Sequence, residues 1–386
     1  MSQTSWTRRQ FVQHSLLSAG ALSLAPQVGM GADPASTLKV ISPRTRQVFQ
    51  RTGYDPVHAS VHEPEGPRLG QAEFPLHVEF TGPQPAGMEV RVRGGAAGSA
   101  DVPAWKPVMG TFKENRWETK ITLPAGGWYS IEVRSVAAPA GMQPSAKVDL
   151  VGVGEVFMIS GQSYAGGAND ELLKVEDPAG RITMLDYVAN TWQIANDPMP
   201  HVGEFGTIWP AFANYLLPVI DVPIGLINVA VGGTSSKQWL PGGNLLPRMI
   251  TAGKLVPAFR FVLWQQGESD VIEGVDTEKY LANMKVIRDT LAKEWGYDPP
   301  WLPAKSTLHP TVYNYPQPEA KIRAAIDQLW HSPGYYPGPD TDLLTGENRG
   351  KIGTKRHFSP IGQRRAGMMW FAAVWHALQQ QAAAKK

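Results

Sequence analysis

The chain has 386 residues, 42% hydrophobic and 18% charged, with 36 Lys and Arg against 34 Asp and Glu, a net charge of +2. That balance excludes disorder and leaves no electrostatic footprint for nucleic acid or an anionic membrane. Cysteine is absent, which excludes disulfides, thiolate metal sites and thiol nucleophiles together.

The first 32 residues read as an export signal. Arg8-Arg9-Gln10-Phe11 is a paired-arginine start, a short apolar stretch follows, and the segment ends in small residues near Ala32. This resembles the twin-arginine signal, which carries proteins already folded, and places the mature protein in the periplasm or outside the cell. No later apolar run reaches the ~18 residues a membrane-spanning helix needs, so no membrane anchor is expected.

Residues 38–150 alternate apolar and polar side chains in short runs at 38–41, 76–80, 89–93, 117–123, 128–136 and 147–151. Gly and Pro clusters separate them. Strands at this spacing with such turns predict a smaller β-sandwich domain.

From residue 151 to 386 the pattern changes. Continuous apolar runs at 156–159, 224–231 and 259–264 suit strands buried on both faces of a parallel sheet. Helices are predicted at 209–217, 277–295, 319–330 and 360–381. In the second, Tyr280, Met284, Ile287 and Leu291 share one face. Strands alternating with helices give an α/β domain whose ligand lies beyond the carboxyl ends of the strands.

Each apolar run ends in glycine and polar residues. The first enters Gly161-Gln162-Ser163-Tyr164-Ala165-Gly166-Gly167, a turn that exposes a serine. The second enters Gly232-Gly233-Thr234-Ser235, where paired glycines let backbone N–H groups approach a ligand. The third enters Gln265-Gln266-Gly267-Glu268-Ser269-Asp270. A buried strand running into Gln, Glu and Asp needs a polar site to satisfy them. Glu268 and Asp270 have no second acidic or histidine cluster beside them, and His58 and His62 fall in the β-rich region, so no metal is expected. Late in the chain His357 lies on a loop, because Ser359 reads as an N-cap and Pro360 as the first helical residue. His376, inside that helix, reads as structural.

Taken in order, GQSxxxG, GGT, WQQGESD and HFSxxGQ resemble the blocks of SGNH/GDSL hydrolases, specifically the sialate O-acetylesterase-like, carbohydrate acetylesterase branch. The resemblance runs from about residue 154 to 381, and a β-domain followed by Gly154-Glu155-Val156-Phe157 fits that layout. It implies a flavodoxin-like, three-layer α/β/α domain with a parallel sheet and no cofactor. It matches Ser163 to the nucleophile and His357 to the base. Ser163, Gly232, Gly233 and Gln266 match the oxyanion hole. Gln162 and Trp239 are placed at the substrate, and Trp192 and Trp209 lie where aromatic faces could meet sugar or simply pack in the core.

Two positions depart from the branch. Tyr164 replaces the asparagine of GQSN, and Thr354 stands where Asp-x-x-His has its aspartate. The resemblance then makes Glu268 the preferred partner for His357. Asp340, Asp342, Glu347 or a backbone carbonyl are the alternatives. The function implied is serine-dependent deacetylation of an acetylated carbohydrate through an acyl-enzyme. Two readings compete: a carbohydrate-binding protein with a degenerate site, and an exported lipase or peptidase. The sequence names neither the glycan nor the oligomeric state.

Overall fold

The structure is a computed structural model that describes residues 36–56, 69–94, 103–136, 143–351 and 355–384. The export segment, His58, His62 and Thr354 lie outside the described residues.

The first half is built of strands β1 (Leu38–Ser42), β2 (Val48–Gln50), β3 (Gln71–Phe80), β4 (Gly87–Gly94), β5 (Lys106–Val108), β6 (Thr111–Lys113), β7 (Arg116–Pro124) and β8 (Gly126–Val136). β1, β3, β7 and β6 form one antiparallel sheet. β5, β4 and β8 pair in a second, which continues into β9 (Ser145–Gly161). Alternate residues of β3 are buried, Phe74, Leu76 and Val78 among them, as period-two patterning requires.

The second half contains β10 (Ile182–Asp186), β11 (Thr191–Ile194), α1 (Trp209–Ile220), β12 (Ile224–Asn228), α2 (Leu246–Lys254), β13 (Phe261–Gln265), α3 (Glu268–Ile272), α4 (Thr277–Trp295), β14 (Trp301–Pro303), α5 (Pro316–Trp330) and α6 (Pro360–Ala383). The parallel strands lie in the order β10-β12-β9-β13-β14, and β11 closes one edge antiparallel to β10. The chain leaves β9 for β12 on one side and returns to β13 on the other. The carboxyl end of β9 is therefore a topological switch point, where such sheets bind ligands.

β9 joins the two halves without a linker. The runs read as separate strands at 147–151 and 156–159 are one 17-residue strand. Its first part pairs antiparallel with β8, and its last part pairs parallel with β12 and β13. The boundary expected at residue 150 falls inside it. In the parallel part Phe157 and Ile159 join an apolar cluster with Trp209, Phe212 and Trp370 of α1 and α6. Val156 and Met158 join another with Met249, Ile287 and Ile326 of α2, α4 and α5. Both faces are covered by helices, so these strands are apolar throughout.

A buried ion network sits where β9 changes partners. Glu155 accepts from Arg51 Nε at 2.8 Å, Arg260 Nε at 2.7 Å and Gln50 Nε2 at 2.8 Å. Burial alone would raise this carboxyl, but Arg260 and Arg51 outweigh it and hold it below the ordinary value.

Candidate active site

Ser163 stands at the end of β9, where that strand lies against β13. Gly161 has φ +129°, and a Cβ there would fall 2.1 Å from the Gln265 carbonyl oxygen, so only glycine fits. Gln162 N then donates to Gln265 O at 3.0 Å, and residues 163–165 turn away from the sheet. The Gly232-Gly233 turn abuts the serine: a Cβ on Gly232 would sit 3.6 Å from Ser163 Cβ. Among the described residues, neither the Ser163 nor the Gly232 N–H enters a hydrogen bond. Both are available to an incoming oxyanion.

The third strand end is committed inward. Gln266 Nε2 donates to Thr234 O at 3.1 Å, to Gln162 Oε1 at 3.3 Å and to Asp270 Oδ2. Its Oε1 accepts from the Tyr280 hydroxyl at 3.2 Å. An amide nitrogen has two protons and here meets three acceptors. The expectation that Gln266 donates to the oxyanion is corrected on that ground. Gln162 is likewise not placed for substrate. It is 2% exposed, and its Oε1 faces Gln266 Nε2 and the Ser269 N–H at 3.2 Å, tying the first block to the third. Asp270 does the same for the second block, accepting from Ser236 N at 2.8 Å and Ser236 Oγ at 2.5 Å.

Trp239, expected at the substrate, is a core residue, and Trp192 and Trp209 take the core alternative left open for them. Trp239 is fully buried, meets Trp264 edge-on at 5.5 Å and donates to Thr234 Oγ1 at 3.3 Å. Trp209 is also fully buried and donates to Ala165 O at 2.7 Å, and Trp192 is buried as well.

His357 lies where the sequence puts it. Ser359 caps α6 by accepting from Gly362 N at 3.2 Å, and Pro360 opens the helix. The histidine reaches the serine turn through its neighbours. Phe358 N donates to Asn169 Oδ1 at 3.1 Å, and the His357 ring lies 5.2 Å from that of Tyr164. Both ring nitrogens are buried, and neither has a hydrogen-bond partner among the described residues. Burial, then the charges of Arg356 and Arg349, push the imidazole down to about 4, with Asp170 opposing. It is a neutral base at pH 7.

Glu268 does not meet His357. It begins α3 after Gly267, where a Cβ would lie 2.7 Å from Ser306 O. Its Oε1 accepts from Ser306 Oγ at 2.6 Å, and its buried Oε2 has no partner. Burial, reinforced by Asp342, raises this carboxyl to about 8. It is largely protonated at pH 7, and the hydrogen bond to His357 expected from the sequence is not formed. Asp340 and Asp342 are also taken, by Arg323. Glu347 pairs with Arg365.

Three residues beside the site escaped the sequence reading. His309 follows β14 with no motif around it, yet its ring lies 5.7 Å from that of His357. Burial, then the charges of His357, Arg356 and Arg349, push it down to about 3. Arg349 is buried beneath Tyr164 and Phe358, its guanidinium 5.0 Å from each ring. Asn169 links the serine turn to Phe358. The only signal for any of this was Tyr164, as an irregularity in the first motif. Among the described residues no three His, Asp or Glu side chains converge as metal ligands. No helix among them is long and apolar enough to cross a membrane.

Comparison with known proteins bears on this geometry. Residues 153–310 match the family model described as carbohydrate esterase, sialic acid-specific acetylesterase. A probable carbohydrate esterase from Arabidopsis thaliana is 31% identical in an alignment of 170 residues that covers 37% of this chain and 64% of that protein. The chain thus spans less than two thirds of that relative. The crystal structure of a carbohydrate acetylesterase from Xanthomonas citri aligns over 86% of this chain and 73% of its own, with TM-score 0.55 and 18% identity, a likeness of fold. The matched segment runs from within β9 to just past β14 and holds Ser163, the Gly232-Gly233 turn and Glu268, so the part of the chain that is similar to the carbohydrate esterase, sialic acid-specific acetylesterase family contains the serine turn.

Proposed function

We propose that this chain is a serine-dependent carbohydrate O-acetylesterase. The observation that carries the reading is one turn at the switch point of the sheet, which sets Ser163 against the free Gly232 amide and is bonded to the His357 loop. His357 takes the Ser163 proton as Oγ attacks the acetyl carbonyl carbon. The Ser163 and Gly232 amides receive the oxyanion, each worth about 2.7–4 kcal/mol where such donors have been removed. The C–O bond to the sugar breaks, the sugar oxygen takes the proton from His357, and acetyl-Ser163 remains. Water, deprotonated by His357, then attacks the acetyl carbon, the bond to Ser163 Oγ breaks as Oγ takes the proton from His357, and acetate leaves. Ser163 and His357 are not hydrogen-bonded in this structure, and such catalytic contacts are commonly long in unliganded hydrolases.

Residues 1–32 fit export, which suits an acetylated glycan outside the cytoplasm. Ser163→Ala should lower turnover of p-nitrophenyl acetate and of acetylated sugars by at least ~10³-fold with the fold intact. Wild-type turnover in that variant overturns the reading. The unpartnered imidazole favours a second reading, glycan binding without catalysis. Tight binding of an acetylated sugar by calorimetry, with no acetate released, would establish it.

A further inference from the structure

A base histidine must be held, since a loose ring in the wrong tautomer costs rate. Among the described residues no group holds the ring nitrogens of His357, and its backbone and ring packing are what fix it there. Gly350 N donates to His357 O at 2.7 Å, and Phe358 N is held by Asn169. On the other side, the Arg356 carbonyl lies 2.6 Å from the Tyr164 hydroxyl.

That hydroxyl is a hub. It lies 3.3 Å from His309 Nδ1 and 3.1 Å from Leu308 O, and it meets Arg349 Nη1. Arg349 is fixed in turn, its Nε donating to Leu344 O at 2.5 Å and its Nη1 lying 3.5 Å from Arg356 O. A phenol has one proton and two lone pairs. Arg349 can only donate, so the proton goes to the nearer of the two carbonyls, Arg356 O at 2.6 Å against Leu308 O at 3.1 Å. The lone pairs then accept from Arg349 and from the Nδ1–H of His309, which is neutral. Tyr164 directly follows the nucleophile, and its ring meets that of His357 edge-on.

We propose that Tyr164 and Arg349 form a clamp that positions His357 relative to Ser163 by holding the Arg356 carbonyl, in place of a carboxylate on the imidazole. The inference deepens the esterase reading and rests on it. Tyr164 and Arg349 are positioning residues: neither touches the reacting atoms. The clamp also accounts for a tyrosine beside the nucleophile, because a shorter side chain there could not span to residue 356.

The test uses the full chain and two readouts. In kinetics, Tyr164→Phe should lower kcat by about 10- to 100-fold with KM held within about twofold, because misplacing a base costs rate, not binding. Arg349→Met should do the same. The double variant should be no slower than the slower single, since both act through one carbonyl. The second readout needs no turnover. In the Ser163→Ala background, the His357 imidazole is titrated by NMR, its signal assigned by loss in His357→Gln. The charged and titratable groups facing that ring are Arg356, Arg349, Asp170 and His309. Tyr164→Phe frees the loop and admits water, so the His357 pKa should rise from about 4 toward its ordinary 6.5. A merely structural tyrosine would lower activity only with the folded fraction and leave this pKa in place. Arg349→Met removes a cation that itself lowers this pKa, so the titration is judged on Tyr164→Phe: an unmoved pKa there, or fully additive kinetics, overturns the clamp. If Ser163→Ala alone keeps wild-type activity, the esterase assignment fails instead, and the titration still judges the clamp.

Discussion

Glu268 Oε1 and Ser306 Oγ lie 2.6 Å apart in the interior, so the glutamate of the QGES motif is held toward the segment after β14 and not toward His357. Its carboxyl is raised to about 8 by burial. A glutamine has nearly the shape of a protonated glutamate. Glu268→Gln should therefore leave kcat within about threefold of wild type at pH 7. A loss near ~10⁴-fold would show instead that an ionised Glu268 orients the imidazole.

The same group gives a stability signature. Its pKa is raised from 4.5 to about 8 on folding, so between those values the folded chain binds more protons than the unfolded chain. Stability from this group is then full below about pH 4.5 and declines as pH rises to about 8. In Glu268→Gln that decline should vanish. Urea melts across this range check it, and an unchanged slope would place the proton elsewhere.

The proposed role of His357 as the base fixes the expected pH–rate profile. With its imidazole pushed down to about 4, kcat/KM should stay level as pH falls and drop only near that value. Arg356 is the largest charge acting on it. Removing a neighbouring cation favours the imidazolium, so Arg356→Met should move the acid limb upward. A wild-type limb at the ordinary 6.5 would contradict the burial of the ring.

Gln266 tests the oxyanion correction. Both its amide protons are spent on Thr234, Gln162 and Asp270. Gln266→Ala should lower the melting temperature, because it strands those acceptors. Among folded molecules kcat should fall by much less than the ~10²–10³-fold seen when an oxyanion donor is lost. A loss of that size at wild-type stability would return Gln266 to the oxyanion hole.

Glu155 tests the junction within β9. Its removal leaves Arg51 and Arg260 without their shared anion, Arg51 in full burial. Breaking a buried ion network from one side typically costs about 3–5 kcal/mol. Glu155→Ala should show a loss of that order in denaturant melts, and a change under about 1 kcal/mol would mean that water already reaches the network.

Much of the fold was written in periodicity. The helix at Thr277–Trp295 begins and ends where its apolar stripe does, because Asp276 caps it and Gly296 closes it in the left-handed region. Pro360 fixes the start of α6 in the same local way. The short strands β10, β11 and β14 and helix α2 were not legible. Their residues carry too few turns of either period, and neighbouring strands alone make them regular.

The site divides along the same line. The local settings of Ser163, Gly232, Gly233 and His357 are legible because each sits at a chain position whose local chemistry is special: a strand end, a glycine turn, a loop two residues before a helix cap. What each polar side chain faces was decided elsewhere. Glu268, Gln266 and Gln162 stand in the motifs at two strand ends, yet their partners include Ser306, Thr234, Asp270 and Ser269. Trp239 looked like a sugar platform and is core. Tyr164 and Arg349 are 185 residues apart and meet in one hydrogen bond. Backbone preference acts over a few residues and is readable in order along the chain. The pairing of a buried polar group is set by whichever donor or acceptor the packed sheet brings within about 3 Å, and only the folded chain selects that partner.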